Sequence, residues 1–259
     1  QFWISYITNL INLKDIRNAE AILDKGKSLG LSQNEIDFFY HKIKKIGEKN
    51  KIDELIKLFR NSEYGKVEKL ALSMLNKNPN DINCLKVLGT CYHKLNKLDN
   101  AVSIYNRLII LDAQNIEVLN NIGLIFKIKE DFEKAKNVYK KASEINPHHS
   151  QSYLNLIYIL KKMKKIDEMI LECRKFIQLN PHDANLLNNY ANGLQELHKY
   201  QEAEANYKKA LNLDPNLTDI HVNYGNLLQL LERNEEAKEI LTKAIKINPQ
   251  NVLAYNNLG

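Results

Sequence analysis

The sequence predicts an all-α fold, a solenoid built from stacked antiparallel helix hairpins. Three observations carry this reading. Gly and Pro are scarce, 9 and 5 in 259 residues, too few for a β architecture that needs turn residues about every 8–12 positions. All five prolines (Pro79, Pro147, Pro181, Pro215, Pro249) fall on one 34-residue lattice, with gaps of 68, 34, 34 and 34. A fixed period of roughly 20–50 residues marks a repeat array. Small residues keep the same beat, as in Ala101, Ala135, Ala203 and Ala237 or Gly89, Gly123 and Gly225.

The chain opens with residues 2–28, which read as a helical hairpin turning near Lys14-Asp15, with Ala19 and Leu23 as its small and large packing positions. Residues 33–46 predict one more amphipathic helix, with Ser32 or Asn34 as its cap and Gly47 as its break. Residues 1–47 thus form a divergent N-terminal helical cap, out of phase with the repeats after it. Six repeats run 48–81, 82–115, 116–149, 150–183, 184–217 and 218–251. Within each, helix A covers positions 1–14 and helix B positions 18–31, because apolar residues follow i, i+3, i+4, i+7 spacing. Proline at position 32 stops helix B. Asp81, Asn115, Asp183 and Asn251 at position 34 are suited to cap the next helix A. Residues 252–259 restart helix A. Half a helix is no capping element for a solenoid, so the sequence leads us to expect further chain beyond Gly259.

Position by position, the repeats resemble the tetratricopeptide repeat (TPR). The repeat at 82–115 supplies Leu85, Leu88, Gly89, Tyr92, Ala101 and Tyr105 to that family's pattern. The next supplies Leu119, Ile122, Gly123, Phe126, Ala135, Tyr139, Ala142 and Pro147. The resemblance implies a right-handed superhelix whose A helices line a concave groove. The repeats at 48–81 and 150–183 depart most, the latter with Ile157, Met169, Cys173 and Phe176 at positions of Gly, Ala, aromatic and Ala. The two helices of the repeat at 150–183 are expected to stand further apart.

Position 6 carries an asparagine column: Asn121, Asn155, Asn189, Asn223 and Asn257. It lies nearly opposite the core positions. Asn is a poor residue inside a helix, so the column calls for a cause. A carboxamide both donates and accepts, which suits the backbone of an extended peptide. Such a ladder resembles that of the TPR arrays of O-linked N-acetylglucosamine transferases, where it holds the polypeptide substrate. The competing reading is duplication of an "Asn-Leu-Gly" run common in generic repeats. Asn192 and Asn226 flank the column, with Asn185, Asn188 and Asp219 nearby. Toward the middle repeats the same surface turns basic and aromatic, with Lys127, Tyr158, Lys161 and Lys162.

Other classes fit less well. The hydrophobic fraction is 44% and the charged fraction 26%, with a net charge of +6; this is ordinary for a folded chain. No apolar run of about 18 residues predicts a membrane span. Three cysteines (Cys84, Cys91, Cys173) make no disulfide framework and read as core thiols in a reducing, cytoplasmic setting. No catalytic constellation, cofactor motif or metal-ligand spacing emerges. The inner face is amide-rich, not densely basic, so nucleic acid is not the expected partner. The sequence therefore predicts a non-catalytic scaffold that takes an extended partner segment in its groove, with self-association through the last repeat as a further possibility. The Phe2-Trp3 hairpin leading into regular repeats also resembles bacterial multidomain TPR proteins. That resemblance implies a second reading, a substrate-recognition arm preceding an O-GlcNAc-transferase-like or other catalytic domain.

Overall fold

The computed structural model describes residues 1–259 as fifteen α-helices and one 3-10 helix, without a strand. The helices fall into two compact units, Gln1–Leu111 and Asp112–Gly259.

The first unit begins with α1 (Phe2–Asn12) and α2 (Ile16–Asp24), the hairpin the sequence predicts, turning through Lys14 at a positive φ. A 3-10 turn (Gly26–Leu29) closes on Gly30, whose φ of 80° is a conformation that glycine adopts without strain. Helix α3 (Gln33–Arg60) comes next, then α4 (Tyr64–Lys77), α5 (Ile82–Lys94) and α6 (Leu98–Leu111). The core of the cap is Ile7, Leu10, Ile11, Ala19, Leu23, Leu31, Ile36, Phe39 and Ile43.

Here the structure corrects one expectation. Gly47 does not break the helix; α3 runs through it for 28 residues. A reciprocal capping box between Ser32 and Glu35 starts this helix, and buried residues on both sides of Gly47, Ile43 and Leu55, tie it down. An isolated glycine costs roughly 1 kcal/mol against alanine, which such anchoring outweighs. The helix expected at 33–46 and the first helix A are therefore one element.

The second unit contains α7 (Ile116–Ile128), α8 (Phe132–Ile145), α9 (Ser150–Lys162), α10 (Ile166–Leu179), α11 (Ala184–Glu196), α12 (Tyr200–Leu213), α13 (Thr218–Leu230), α14 (Asn234–Ile247) and the short α15 (Val252–Leu258). Odd-numbered members are A helices and even-numbered ones are B helices. Asn115, Asp183 and Asn251 cap α7, α11 and α15 by accepting from the backbone N–H groups of Val118, Leu186 and Ala254 at 2.9–3.1 Å. Asp81 does the same for α5 in the first unit. His149 and Leu217 hold the same register position and provide no such bond. The residue before each proline is drawn out of the helix, with φ between −131° and −139° at Asn78, Asn146, Asn180, Asp214 and Asn248. The proline ring disfavours helical geometry there.

The turn between helices A and B has its own signature. Ser62, Asn96, Glu130, Lys164, His198 and Glu232 all have φ of 56–60°, and they recur every 34 residues. A left-handed residue reverses the chain within a few positions, although of these six only Asn96 and His198 are types enriched in that conformation.

Packing explains the small residues. A Cβ on Gly89 would sit 2.5 Å from the Tyr105 ring, and one on Gly123 would sit 2.6 Å from the Tyr139 ring. Ala135, Ala142, Ala203, Ala210 and Ala244 are fully buried between helices. The divergent repeat behaves as its sequence predicts: α9 and α10 approach less closely than α7 and α8 or α11 and α12. Phe176, where the other repeats of this unit have alanine (Ala142, Ala210, Ala244), stacks on Tyr153 at 4.9 Å between ring centroids. Met169 is accommodated from the other side, because Gly193 of α11 leaves room for its methyl group; a Cβ there would come within 2.5 Å of it.

Candidate functional site

Within the second unit, A helices lie close to the next A helix (α7 with α9, α11 with α13, α13 with α15), whereas successive B helices do not come as near. The A helices therefore form the inner face. The five position-6 asparagines sit on it, all half-buried.

They differ in what they touch. Asn155 Oδ1 accepts from Gln151 Nε2 at 3.0 Å. Asn189 Nδ2 donates to the Asn185 carbonyl one turn earlier, at 2.9 Å. Asn223 Nδ2 donates across repeats to Asn188 Oδ1 at 3.0 Å. The backbone carbonyl of Asn257 accepts from Gln229 Nε2. The column thus lies at one register position on successive helices, and two of its members spend a donor on the protein itself.

Of the flanking residues, Asn192 accepts the Tyr207 hydroxyl at 2.6 Å, and Asn226 is half-buried beside the column. Asn188 is not on the surface, being 7% exposed. Its role is to receive Asn223.

The basic end of the face is organised around Tyr158, which is 45% exposed. Lys127 of α7 and Lys162 of α9 stand over its ring at 5.0 and 5.7 Å. Lys161 reaches Glu196 at 3.8 Å. Lys127, Tyr158 and Lys162 thus form one cluster, a cation–π arrangement that presents two positive charges around an aromatic plate.

Sequence reasoning missed the role of position 5. Asn120 Nδ2 donates to Ser152 Oγ at 2.9 Å and to the Ile116 carbonyl at 3.1 Å, which links α7 to α9. Its Oδ1 is buried without a partner. The available signal was alternation: Asn120, Leu154, Asn188, Val222 and Asn256 occupy that position in turn. At Asn120 and Asn188 the amide meets a polar group on the next A helix.

The remaining candidates have structural roles. Burial raises the thiol pKa to about 11 at Cys84 and Cys91 and to about 12 at Cys173; none is an activated nucleophile. His148 and His149 bond to Asn180 and Ser152 in the inter-repeat loops. No group of three or more His, Cys, Asp and Glu side chains stands together. No helix is long and apolar enough to cross a membrane.

The tetratricopeptide repeat family matches this sequence at residues 87–115, 116–149 and 194–258. The chain carries tetratricopeptide repeats. Solved structures agree on the fold of the array. YrrB, described as a TPR protein with an unusual peptide-binding site, has a TM-score of 0.55 at 22% identity, over 72% of this chain and 96% of its own. PilF of Pseudomonas aeruginosa has a TM-score of 0.59 at 17% identity, over 81% and 95%. The C-terminal part of a TPR repeat-containing protein from Cytophaga hutchinsonii has a TM-score of 0.63 at 17% identity, over 80% and 83%. None of the curated proteins compared with it matches the sequence. Repeats of this type generally mediate protein–protein interaction.

Proposed function

We propose that the inner face of the second unit binds an extended segment of a partner protein. The observation that carries this is the column of five half-buried carboxamides on successive A helices (Asn121, Asn155, Asn189, Asn223, Asn257), flanked by the Tyr158 cluster. An extended backbone presents its N–H and C=O groups periodically, and a carboxamide can meet either. Asn192 and Asn226 widen the polar strip. Lys127, Lys161 and Lys162 favour an acidic or carboxylate-bearing end of the segment at the α7–α9 side. YrrB, a fold neighbour described as having a peptide-binding site, agrees with this reading.

The same face would serve equally as the substrate-recognition arm of a transferase. The bound segment would then be that enzyme's substrate, and the catalytic groups would lie outside this chain. The asparagine ladder and the aromatic N-terminal hairpin are the features that favour it.

The test starts from peptides selected against the chain from a random library. Changing Asn155, Asn189 and Asn223 together to Ala removes three amides, each worth roughly 0.5–1.5 kcal/mol net. Affinity should fall about tenfold or more while the helical circular dichroism is kept. Unchanged affinity would refute the role of the column.

A further inference from the structure

A second cleft lies on the other side of the same unit, between the B helices α10 and α12 and over helix α11. Its cavity measures about 610 Å³, within the usual range for ligand sites. The floor is apolar, formed by Ile177, Leu187 and Leu213. Leu187 and Tyr190 belong to the core-facing side of α11, away from Asn189 on the inner face.

The rim is charged with one sign. Arg174 and Lys209 stand on opposite walls with Asn206 and Asn212 beside them, and no carboxylate lines the cleft. Neither cation has a carboxylate within ion-pair distance, although the Tyr190 hydrogen bond and, beyond it, the charge of Glu202 on α12 raise the Arg174 pKa; their sequence neighbours Lys175 and Lys208 are paired with Glu172 and Glu204. Arg174 is held in place by Tyr190, donating from Nε to the hydroxyl at 2.7 Å with its guanidinium 5.8 Å from the ring centroid. That contact uses Nε alone and leaves the two terminal amino groups of the fork available. Arg fixed in this way is suited to a carboxylate, which it can meet with two parallel hydrogen bonds. The cleft also borders α10, the helix that Phe176 and Met169 set apart from its repeat partner.

We propose that this cleft is a second, separate binding site, for a peptide segment that carries a bulky apolar side chain next to a carboxylate. The apolar side chain fills the space over Ile177 and Leu187, and the carboxylate meets Arg174 and Lys209. The charge complementarity of the rim decides the partner's chemistry. The site shares no residue with the inner-face column, so the two can be tested separately.

The probe is the blocked hexapeptide Gly-Ser-Trp-Glu-Gly-Ser, compared with the analogue that has Gln for Glu, titrated into isotope-labelled full chain and followed by NMR. The acidic peptide should shift the amides of Ile177, Leu187 and Lys209 saturably. The Gln analogue should bind about fivefold more weakly or worse, the scale of an exposed charge pair. Arg174→Gln and Lys209→Gln should each weaken the acidic peptide, the two together should lower it to the level of the analogue, and both should leave the analogue unchanged. Both Arg174 and Lys209 are exposed, so Arg174→Gln and Lys209→Gln should keep the fold, as circular dichroism will report. Equal binding of the two peptides, shifts confined to the inner face, or no saturable shift at millimolar peptide would each overturn the proposal.

Discussion

Replacing Gly123 by Ala tests the packing account at its tightest point. The new Cβ would lie 2.6, 2.7 and 2.9 Å from three ring atoms of Tyr139. Tyr139 is fully buried, so its ring has no open space to move into. Overpacking of this kind costs about 1–3 kcal/mol, and the better helix propensity of Ala returns roughly 1 kcal/mol. The net expectation is a loss of about 0–2 kcal/mol in the second unit. Gly47→Ala is the control, since nothing lies within 4 Å of a Cβ there. The same chemical change should stabilise α3 by about 0.5–1 kcal/mol. A repeat array need not unfold in one step. Native-state hydrogen exchange therefore reads each effect locally, at the amides of α7 and α8 for Gly123→Ala and of α3 for Gly47→Ala. If both substitutions protect their helices, close approach is not why glycine stands at position 123.

Three further perturbations have defined outcomes. Gly193→Ala should destabilise α10 and α11 by about 1–2 kcal/mol, and adding Met169→Ala should recover part of that loss, giving a non-additive double-mutant cycle. At Glu204, burial raises the carboxyl pKa, but hydrogen bonds from Lys208, Arg233 and Tyr224 outweigh it and hold the group at about 2. Its folded pKa is depressed, so its stabilisation is present above about pH 4.5 and lost as pH falls toward 2. Glu204→Gln should cost about 1–3 kcal/mol at neutral pH and flatten the acid limb of the stability profile over that window. Lys164→Gly should relieve a left-handed turn (φ 57°) and raise stability by about 0.5–1 kcal/mol in denaturant titrations, against no change if the turn is unstrained.

Much of the fold was legible because the repeat imposes chemistry at fixed positions. Proline, the capping Asp or Asn and the small packing residues each declare a backbone requirement, so Asp81, Asn115, Asp183 and Asn251 could be assigned as caps from the sequence. Phe176 and Met169 announced the widened repeat by volume alone. Gly47 misled because a propensity rule is local, whereas the continuity of α3 is decided by buried anchors on either side. The left-handed turn residues left little mark, since Glu, Lys and Ser, which fill four of the six positions, carry no strong preference for that conformation. The pairing of Met169 with Gly193 was hidden because its partners lie in different repeats. On the inner face the sequence located the asparagine column but not its internal bonds. Asn188 looked like a surface residue, yet it is buried beneath Asn223, because positions 5 and 6 point to different surroundings. The cleft beside Arg174 has no sequence signature at all; it arises from residues of three helices.

The most direct test of peptide binding at the inner face is to follow the side-chain amide signals of the asparagines by NMR while a library-selected peptide is added to the intact chain. Asn121, Asn155, Asn189, Asn223 and Asn257 should shift together, with the backbone around Tyr158 and Lys162 moving in step. Shifts that spare these amides while the peptide still binds elsewhere would contradict the assignment of the inner face as the binding surface.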